Sequence, residues 1–240
     1  MAFAVISDIH SNLEALNRAL EFIEKKDDIG DVIILGDIVG YGANPNECIT
    51  LCKEVSNTVI LGNHDKAAYD KETRSSFNIN AVRSAEWTEE NLEDEHIIFL
   101  KNLPLTIKRE RFLFVHSSPH NPGGWLYISG MFDAQFQLNV FEQSICFIGH
   151  THIPKIFTEG EIPEIKNERY YLSQEEKYII NVGSIGQPRD RNPDLSFAIF
   201  NEIEWSVEYV RLDYNIKKAA DKIIDAGLPQ FLSERLYTGY

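Results

Sequence analysis

The chain has 240 residues, of which 43% are hydrophobic, 25% charged and 11% aromatic, a composition typical of a folded protein with a substantial core. Its 23 lysines and arginines against 37 aspartates and glutamates give a net charge of −14, which argues against broad binding to nucleic acid or anionic membranes. Three cysteines cannot form a disulfide framework, and no signal peptide or membrane-length apolar stretch is visible, so we expect a cytoplasmic protein.

Short apolar runs recur along the chain and predict buried β-strands. Each run has four to six residues and is rich in Val, Ile and Phe, which favours strands over helices. Apolar residues at helical spacing predict a helix over Asn12–Lys26 and a second helix after Pro45. This alternation of strands and helices is typical of a mostly parallel α/β sheet. The predicted strands are Phe3–Ile6, Val32–Leu35, Thr58–Leu61, Phe112–Val115, Ile145–Ile148 and Ile179–Val182.

The segment Lys66–Arg111 interrupts this alternation. It carries no strong strand signal, whereas Ile79–Leu92 and Asp94–Leu103 predict two amphipathic helices, so we interpret it as a helical excursion from the sheet. Its aromatic residues either belong to the core or form one wall of a cleft: Tyr69, Phe77 and Trp87.

The C-terminal part changes pattern again. Ser196–Asn201 and Trp205–Leu212, separated by a short acidic turn, predict an antiparallel strand pair. A helical tail is expected from about residue 215 to 240, packed on this chain or on a neighbour. Without repeats or low-complexity linkers, we predict that residues 1–240 form a single domain.

Five of the seven histidines lie within a few residues after a predicted strand. Ligand sites in open α/β sheets gather at the carboxyl ends of strands, so these segments are expected to meet at one edge. In an extended segment residues i and i+2 point the same way, so Asp8 with His10, and His150 with His152, can each converge on one point. The polar residues delivered to this edge are Asp8, His10, Asp37, Asn63, His64, His116, His150 and His152.

Oxygen and nitrogen donors without a thiolate suit divalent Mn, Fe, Zn, Ni or Co. A single histidine at a strand end is more often a structural residue, but five such coincidences in one chain favour a metal site. Gly36, Gly62 and Gly149 fit this interpretation, because glycine turns tightly at a strand end without a β-carbon crowding the site.

Together these motifs resemble those of the calcineurin-like metallophosphoesterase superfamily, in a compact prokaryotic phosphodiesterase-like branch. The resemblance runs from the first strand to about Pro193. It implies a four-layer αββα sandwich, an α/β fold in which two mixed β-sheets pack together with helices outside. The matching motifs are Ser7-Asp8-Ile9-His10, Gly36-Asp37-Ile38-Val39, Gly62-Asn63-His64-Asp65, Val115-His116 and Gly149-His150-Thr151-His152.

The resemblance also implies a binuclear centre of two divalent metal ions bridged by Asp37, with His64 as a catalytic residue beside the scissile phosphate. Manganese is the expected metal, with iron, zinc, nickel or cobalt as alternatives. By motif position, Asp8, His10 and His152 would hold the first metal, and Asn63, His116 and His150 the second.

Such a centre implies hydrolysis of phosphate esters by a metal-bridging hydroxide, with His64 assisting the leaving group. We expect a phosphodiesterase that acts on a small or nucleotide-type substrate. Two enzymatic alternatives use the same centre, namely a dinucleoside polyphosphate hydrolase and a phosphomonoesterase or protein phosphatase. A non-catalytic scaffold with the same fold is an alternative of another class.

The chain departs from the superfamily after Val39. Many members continue with an aspartate that orients the catalytic histidine and an arginine that binds phosphate, whereas this chain has Gly40 and Tyr41, which disfavours a protein phosphatase. Tyr41 can contact a substrate or pack in a loop. Arg189 and Arg191 can bind phosphate or lie in a solvated turn, and Asp65 is a possible partner for His64.

The charge distribution indicates which substrates and partners the protein can bind. Two divalent metals would make the centre positive inside an acidic protein, which can admit a small phosphate ester while repelling long nucleic acids. No membrane partner is expected. The sequence carries no signal for the oligomeric state.

Overall fold

Eleven β-strands form two mixed sheets in the computed structural model, which describes residues 1–160, 165 and 168–240. In spatial order, the first sheet contains β3 (Thr58–Val59), β2 (Ile29–Ile34), β1 (Ala2–Ile6), β10 (Leu195–Asn201), β11 (Ser206–Leu212) and β8 (Arg169–Tyr171). The second sheet contains β4 (Thr106–Arg109), β5 (Phe112–Val115), β6 (Ile145–Ile148), β9 (Tyr178–Asn181) and β7 (Lys155–Phe157).

The predicted apolar runs form the inner strands of these sheets. All five residues of β1 are buried, because β1 lies between β2, to which it is parallel, and β10, to which it is antiparallel. In the second sheet, β5, β6 and β9 are mutually parallel neighbours and equally buried. The predicted antiparallel pair near the C-terminus is also confirmed, as β10 and β11.

The predicted helical excursion Lys66–Arg111 is wrong at its C-terminal end. Its helices end at Lys101, and Thr106–Arg109 forms β4, which pairs antiparallel with β5. As an edge strand of mixed exposure, β4 lacks the continuous apolar run of an inner strand. Strands β7 and β8, of three residues each, are too short to give a periodic signal.

Eight α-helices are present in the described part of the chain. Asn12 caps the first helix, since its side chain accepts a hydrogen bond from the Ala15 amide at 3.1 Å. The helices are α1 (Leu13–Glu24), α2 (Pro45–Val55), α3 (Asn63–Ala67), α4 (Ile79–Asn91), α5 (Asp94–Lys101), α6 (Met131–Gln137), α7 (Ile216–Asp225) and α8 (Gln230–Glu234). None of the helices that the structure describes combines the length and apolar character needed to span a bilayer.

Three apolar cores divide the fold into four layers. The central core lies between the sheets and contains Phe3 and Phe200 from one sheet and Phe114 and Phe147 from the other. The outer face of the first sheet packs against α1 and α2, and the outer face of the second packs against α6. The predicted αββα sandwich is therefore confirmed.

The C-terminal helices pack on their own chain. Ala219 and Ile223 of α7 and Leu232 of α8 share an apolar cluster with Tyr41 and with Ala81 of α4. This cluster lies beside the strand-end loops and not on the open face of either sheet, so the tail covers the region around Tyr41.

We expect Phe3→Ala to lower the free energy of unfolding by about 3–5 kcal/mol, because it removes a ring from the centre of the sandwich. The Phe3 ring centroid lies 5.3–6.1 Å from those of Phe112, Phe114, Phe147 and Phe200. Urea denaturation measures this loss. Ile203→Ala is the control, since Ile203 is 81% exposed and should change stability by less than about 0.5 kcal/mol. Similar losses for the two variants would contradict this packing.

Candidate metal centre

The polar residues predicted at the strand ends converge at one edge of the sandwich. Loops after β1, β2, β3, β5 and β6 carry them there, from both sheets. Hydrogen bonds between these loops, such as His10 N–H to Asp37 O at 2.9 Å, fix them against one another. The buried donors brought together are Asp8, His10, Asp37, Asn63, His116, His150 and His152.

A first group of donors consists of Asp8, His10, Asp37 and His152, whose ligand atoms all lie within 4.8 Å of one another. Nε2 of His152 is 3.2 Å from Oδ1 of Asp8 and 3.1 Å from Nε2 of His10. Nε2 of His10 is in turn 3.8 Å from Oδ2 of Asp37. Spacings of this size leave room for one cation among the four side chains.

A second group consists of Asp37, His116 and His150, again within 4.8 Å of one another. Nε2 of His116 lies 3.3 Å from Oδ2 of Asp37, and Oδ1 of Asn63 lies 3.1 Å from the same nitrogen. Asp37 thus belongs to both groups, as expected of a residue shared between two neighbouring sites.

Backbone carbonyls hold three of the imidazoles in one tautomer. A carbonyl oxygen can only accept a hydrogen bond, so the Nδ1 atom that contacts it carries a proton, and in the neutral ring Nε2 presents a lone pair. The three Nδ1 atoms, of His10, His116 and His152, donate to the oxygens of Val39, Leu35 and Gln187 at 3.1, 2.8 and 2.6 Å.

His150 is held in the opposite tautomer, with the proton on Nε2. Its Nε2 donates to the Trp125 carbonyl oxygen at 2.9 Å, which leaves Nδ1 as the nitrogen it can offer to a cation. The backbone amide of His150 also donates to Oδ2 of Asp8 at 2.9 Å, linking the second group to the first.

The facing nitrogens of His10 and His152 test whether the site fits a metal. Their Nε2 lone pairs point at each other across 3.1 Å, and Oδ1 of Asp8 is buried beside them without a hydrogen-bond donor. Electron pairs in this arrangement repel one another unless a cation lies among them. The donor set therefore fits a divalent metal ion.

The loops reach this geometry through left-handed backbone. Asp8, His10, Asp37, His150 and His152 have φ between +51° and +66°, a conformation that non-glycine residues rarely adopt. The rule for extended segments therefore does not apply, and the prediction that His150 and His152 converge on one point is wrong. His152 joins Asp8 and His10, whereas the ring of His150 lies 5.0 Å from that of His116.

The electrostatics favour ionised carboxylates. Burial alone would raise the pKa of Asp8 and Asp37, but neighbouring histidines lower both below the usual range, chiefly His152 for Asp8 and His116 for Asp37. Burial in turn disfavours the charged form of His116, yet Asp37 raises its pKa to about 9. The two carboxylates thus attract positive charge strongly.

The other imidazoles of the site favour the neutral form. Burial lowers the pKa of His10 and His152 and lowers that of His150 to about 3. Neutral imidazole is the form that binds metals, so burial prepares these rings for coordination.

Comparisons with known proteins agree with this geometry. The model of the calcineurin-like phosphoesterase superfamily domain matches residues 1–204. The chain belongs to this superfamily. Its members are hydrolases of phosphate esters that use divalent metals, so the chain is a metal-dependent phosphoesterase.

Two relatives span nearly the whole chain. An uncharacterized protein of Methanocaldococcus jannaschii is 41% identical over 241 residues, which cover 98% of this chain and 97% of that protein. The crystal structure of a metallophosphoesterase from Sphaerobacter thermophilus is 36% identical and covers 100% of both chains, with a TM-score of 0.89. A symmetrical bis(5'-nucleosyl)-tetraphosphatase of Actinobacillus pleuropneumoniae is 27% identical over 122 residues, 48% of this chain and 43% of that protein.

His64, the predicted catalytic residue, lies in an aromatic pocket beside the first group of donors. Its ring centroid is 4.4 Å from that of Tyr41, 4.6 Å from Phe77 and 5.0 Å from His10. Nδ1 of His64 is buried and has no hydrogen-bond partner. Aromatic packing, and not a carboxylate, therefore holds this ring, and Phe77 of the helical excursion supplies one wall.

Asp65 does not contact the His64 ring. Its two carboxylate oxygens accept hydrogen bonds from the amides of Val39 and Gly62 at 3.1 and 3.0 Å. Burial and the nearby Asp37 raise the pKa of Asp65 to about 7. Asp65 thus fixes the loops that follow β2 and β3, and the possibility that it partners the His64 side chain is wrong.

Gly40 explains how the aromatic pocket is formed. It has φ of +91°, and a β-carbon at this position would lie 2.7 Å from Nδ1 of His64. Glycine at this position therefore leaves space for the His64 ring against Tyr41.

The residues predicted to bind substrate occupy different places. Tyr41 is buried between His10 and His64, and the guanidinium of Arg189 lies 5.8 Å from its ring centroid. Arg191 is exposed, with its guanidinium 5.9 Å from the ring centroid of Tyr240.

Two aromatic residues beside the centre were not singled out from the sequence. Tyr127 stacks on His150 with ring centroids 4.2 Å apart and planes inclined by 21°, and the Trp125 ring lies 6.1 Å from that of His116. Both belong to an irregular loop, where no periodicity marks them. The only available signal was their position, because the sequence Trp-Leu-Tyr lies in the loop that follows β5 and His116.

We expect Gly40→Ala to reduce turnover of a phosphate ester at least tenfold while bound metal is unchanged, because the new β-carbon displaces the His64 ring. Gly227→Ala is the matched control. Gly227 also has positive φ, at +71°, but a β-carbon there would meet no atom within 4 Å, so both variants share only a backbone cost of about 1–2 kcal/mol. Kinetics and metal analysis on the folded variants measure the difference. Equal turnover in the two variants would contradict the role of this space.

Proposed function

We propose that the protein is a phosphodiesterase that acts on a small, nucleotide-type substrate at a binuclear centre. Two buried donor groups that share Asp37 carry this proposal. Oxygen and nitrogen donors favour manganese, with iron, zinc, nickel or cobalt as alternatives. The proposed ligands are Asp8, His10, Asp37 and His152 for one ion, and Asp37, Asn63, His116 and His150 for the other.

When bound, two divalent ions supply Lewis acidity to the phosphoryl oxygens and to the attacking water. The protein contributes the fixed positions of the donors. The carbonyls of Val39, Leu35 and Gln187 orient three rings before a metal arrives, so little reorganisation accompanies binding.

His64 is the proposed catalytic residue. Burial lowers its pKa to about 4, so the ring is neutral near pH 7. With Nδ1 enclosed next to Gly40, Nε2 is the nitrogen that can meet a substrate and donate a hydrogen bond. We assign His64 to stabilise the oxygen on which charge develops as the leaving group departs.

An aromatic wall supports a nucleotide-type substrate. Tyr127 is 55% exposed although its ring stacks on the buried His150, so one face of the ring is open at the edge of the centre. Trp125 lies beside it, near His116. Exposed aromatic faces of this kind stack on nucleobases.

The net charge bears on the size of the substrate, and the cysteines bear on the cellular location of the protein. The net charge of −14 disfavours long nucleic acids as substrates. We also infer a cytoplasmic location, which three free and buried cysteines support.

Dinucleoside polyphosphate hydrolysis is the second candidate. The relative from Actinobacillus pleuropneumoniae, a symmetrical bis(5'-nucleosyl)-tetraphosphatase, supports it over the 122 matched residues. A protein phosphatase is less well supported, because Gly40 and Tyr41 replace the charged pair found in many superfamily members.

A substrate panel tests the proposal. With manganese, we expect kcat/KM for the p-nitrophenyl ester of thymidine monophosphate to exceed that for bis-p-nitrophenyl phosphate, and both to exceed p-nitrophenyl phosphate at least tenfold. Chelation of the metals should abolish all three activities. Preference for the monoester would overturn the diester assignment, and faster cleavage of diadenosine tetraphosphate would favour the second candidate. No turnover with two metals bound would support the scaffold alternative.

We expect His64→Ala to retain both metals and to lose turnover about 10²–10⁴-fold, because it removes a hydrogen-bond donor that acts in the transition state. Metal analysis by mass spectrometry and steady-state kinetics measure the two properties. His120→Ala is the control, since His120 is exposed and packs on Phe136 away from the donors. Loss of metal from His64→Ala in proportion to its loss of turnover would overturn the assignment.

A further inference from the structure

The loop between β5 and α6 contacts both imidazoles of the second group of donors. The carbonyl oxygen of Trp125 accepts the hydrogen bond from Nε2 of His150 at 2.9 Å, and the Trp125 ring centroid lies 6.1 Å from that of His116. Tyr127 stacks on His150 with ring centroids 4.2 Å apart. One short segment, residues 125–127, therefore touches the two histidines proposed as ligands of the second ion.

Trp125 reaches His150 through a backbone conformation that is rare for its residue type. Its φ is +53° and its ψ is +38°, in the left-handed region that a bulky side chain disfavours by about 1–2 kcal/mol. These two angles set the direction of the Trp125 carbonyl group. A strained residue whose carbonyl oxygen contacts a proposed metal ligand indicates a function for the backbone itself.

The segments on either side of Trp125 fix the loop. Before it, Oγ of Ser117 donates a hydrogen bond to the Pro122 carbonyl oxygen at 3.1 Å. After it, Ile128 is buried in the apolar core that α6 covers. The left-handed residue thus lies between two fixed points, so a change in its φ would turn the carbonyl oxygen away from His150.

The other three carbonyls that contact imidazoles of the site are fixed in a different way. They belong to Leu35, Val39 and Gln187, none of which has positive φ. The amide of each of these residues donates a hydrogen bond, at 2.9, 3.1 and 2.8 Å respectively, to an acceptor elsewhere in the strand-end loops or in β1. Among the four carbonyls, that of Trp125 is the one whose direction depends on a left-handed residue.

We propose that Trp125 is a positioning residue for the second metal ion and acts through its main-chain carbonyl, not through its indole ring. By accepting the proton on Nε2 of His150, the carbonyl leaves Nδ1 to bind an ion together with Asp37 and His116. This inference rests on the proposed binuclear centre and adds to it a residue outside the ligand set. The loop that exposes the Tyr127 ring to a substrate thus also sets the position of a metal ligand.

Two substitutions at Trp125 separate the backbone from the ring. Trp125→Asn and Trp125→Val both remove the indole, but asparagine tolerates the left-handed conformation, whereas a β-branched valine does not. We expect Trp125→Val to weaken binding of one manganese ion about 10- to 100-fold, because it removes a hydrogen bond that supports a metal-binding histidine, and Trp125→Asn to weaken it less than about threefold. The other ion should bind to both variants as it binds to the wild type. Isothermal titration calorimetry of the metal-free protein with manganese chloride measures the two affinities.

Kinetics provide a second readout of the same variants. We expect turnover by Trp125→Val to recover as manganese is raised, because the excess metal refills a weakened site, whereas the loss caused by His64→Ala should persist. Gly227→Val is the matched control. Gly227 also has positive φ, at +71°, with open space where a β-carbon would lie, so this variant carries the same kind of strain and should bind both ions like the wild type.

Equal manganese affinities of Trp125→Asn and Trp125→Val would overturn the inference, because the conformation of the backbone would then make no difference. Weaker binding of both ions to Trp125→Val would also overturn it, because the loop would then support the whole centre or the fold. Failure of the proposed function is a different result, namely the absence of phosphate-ester turnover by the wild type with both ions bound.

Discussion

The burial of two ionised carboxylates among imidazoles is the constraint on which the site depends. Asp8 and Asp37 stay charged although burial opposes it, and the lone pairs of His10 and His152 face each other beside them. The loops add strain, because five donors have positive φ at a cost of about 1–3 kcal/mol each. The rigid sandwich holds the donors in this strained arrangement. A divalent cation among them would replace the repulsion between the lone pairs with coordination bonds.

The His64 ring is held by aromatic packing and not by a carboxylate. A carboxylate would orient the ring through one hydrogen bond, whereas Gly40 removes that group and opens a space that Tyr41 and Phe77 border. Aromatic contact fixes the plane of the ring without fixing its protonation state. Burial, and not this contact, lowers the pKa of His64 to about 4, and the neutral imidazole favours hydrogen-bond donation over full proton transfer.

Sequence reasoning found the donors because each follows a strand within a few residues, so local pattern alone places Asp8 or His116 at the sheet edge. The apolar runs predicted only a mostly parallel α/β sheet, whereas the resemblance of the motifs to the superfamily implied the sandwich. It missed β4 because an edge strand lacks a continuous apolar run. Trp125 and Tyr127 were missed for another reason, since only tertiary packing brings their loop to the centre.

The C-terminal segment lies outside the part of the chain that matches the superfamily domain. The superfamily domain matches residues 1–204 and contains every proposed metal ligand and His64, whereas α7 and α8 lie beyond it. These helices pack on Tyr41 and on α4, so the segment outside the match covers the residue that contacts the proposed catalytic His64. Chemistry common to the superfamily thus resides in the sandwich.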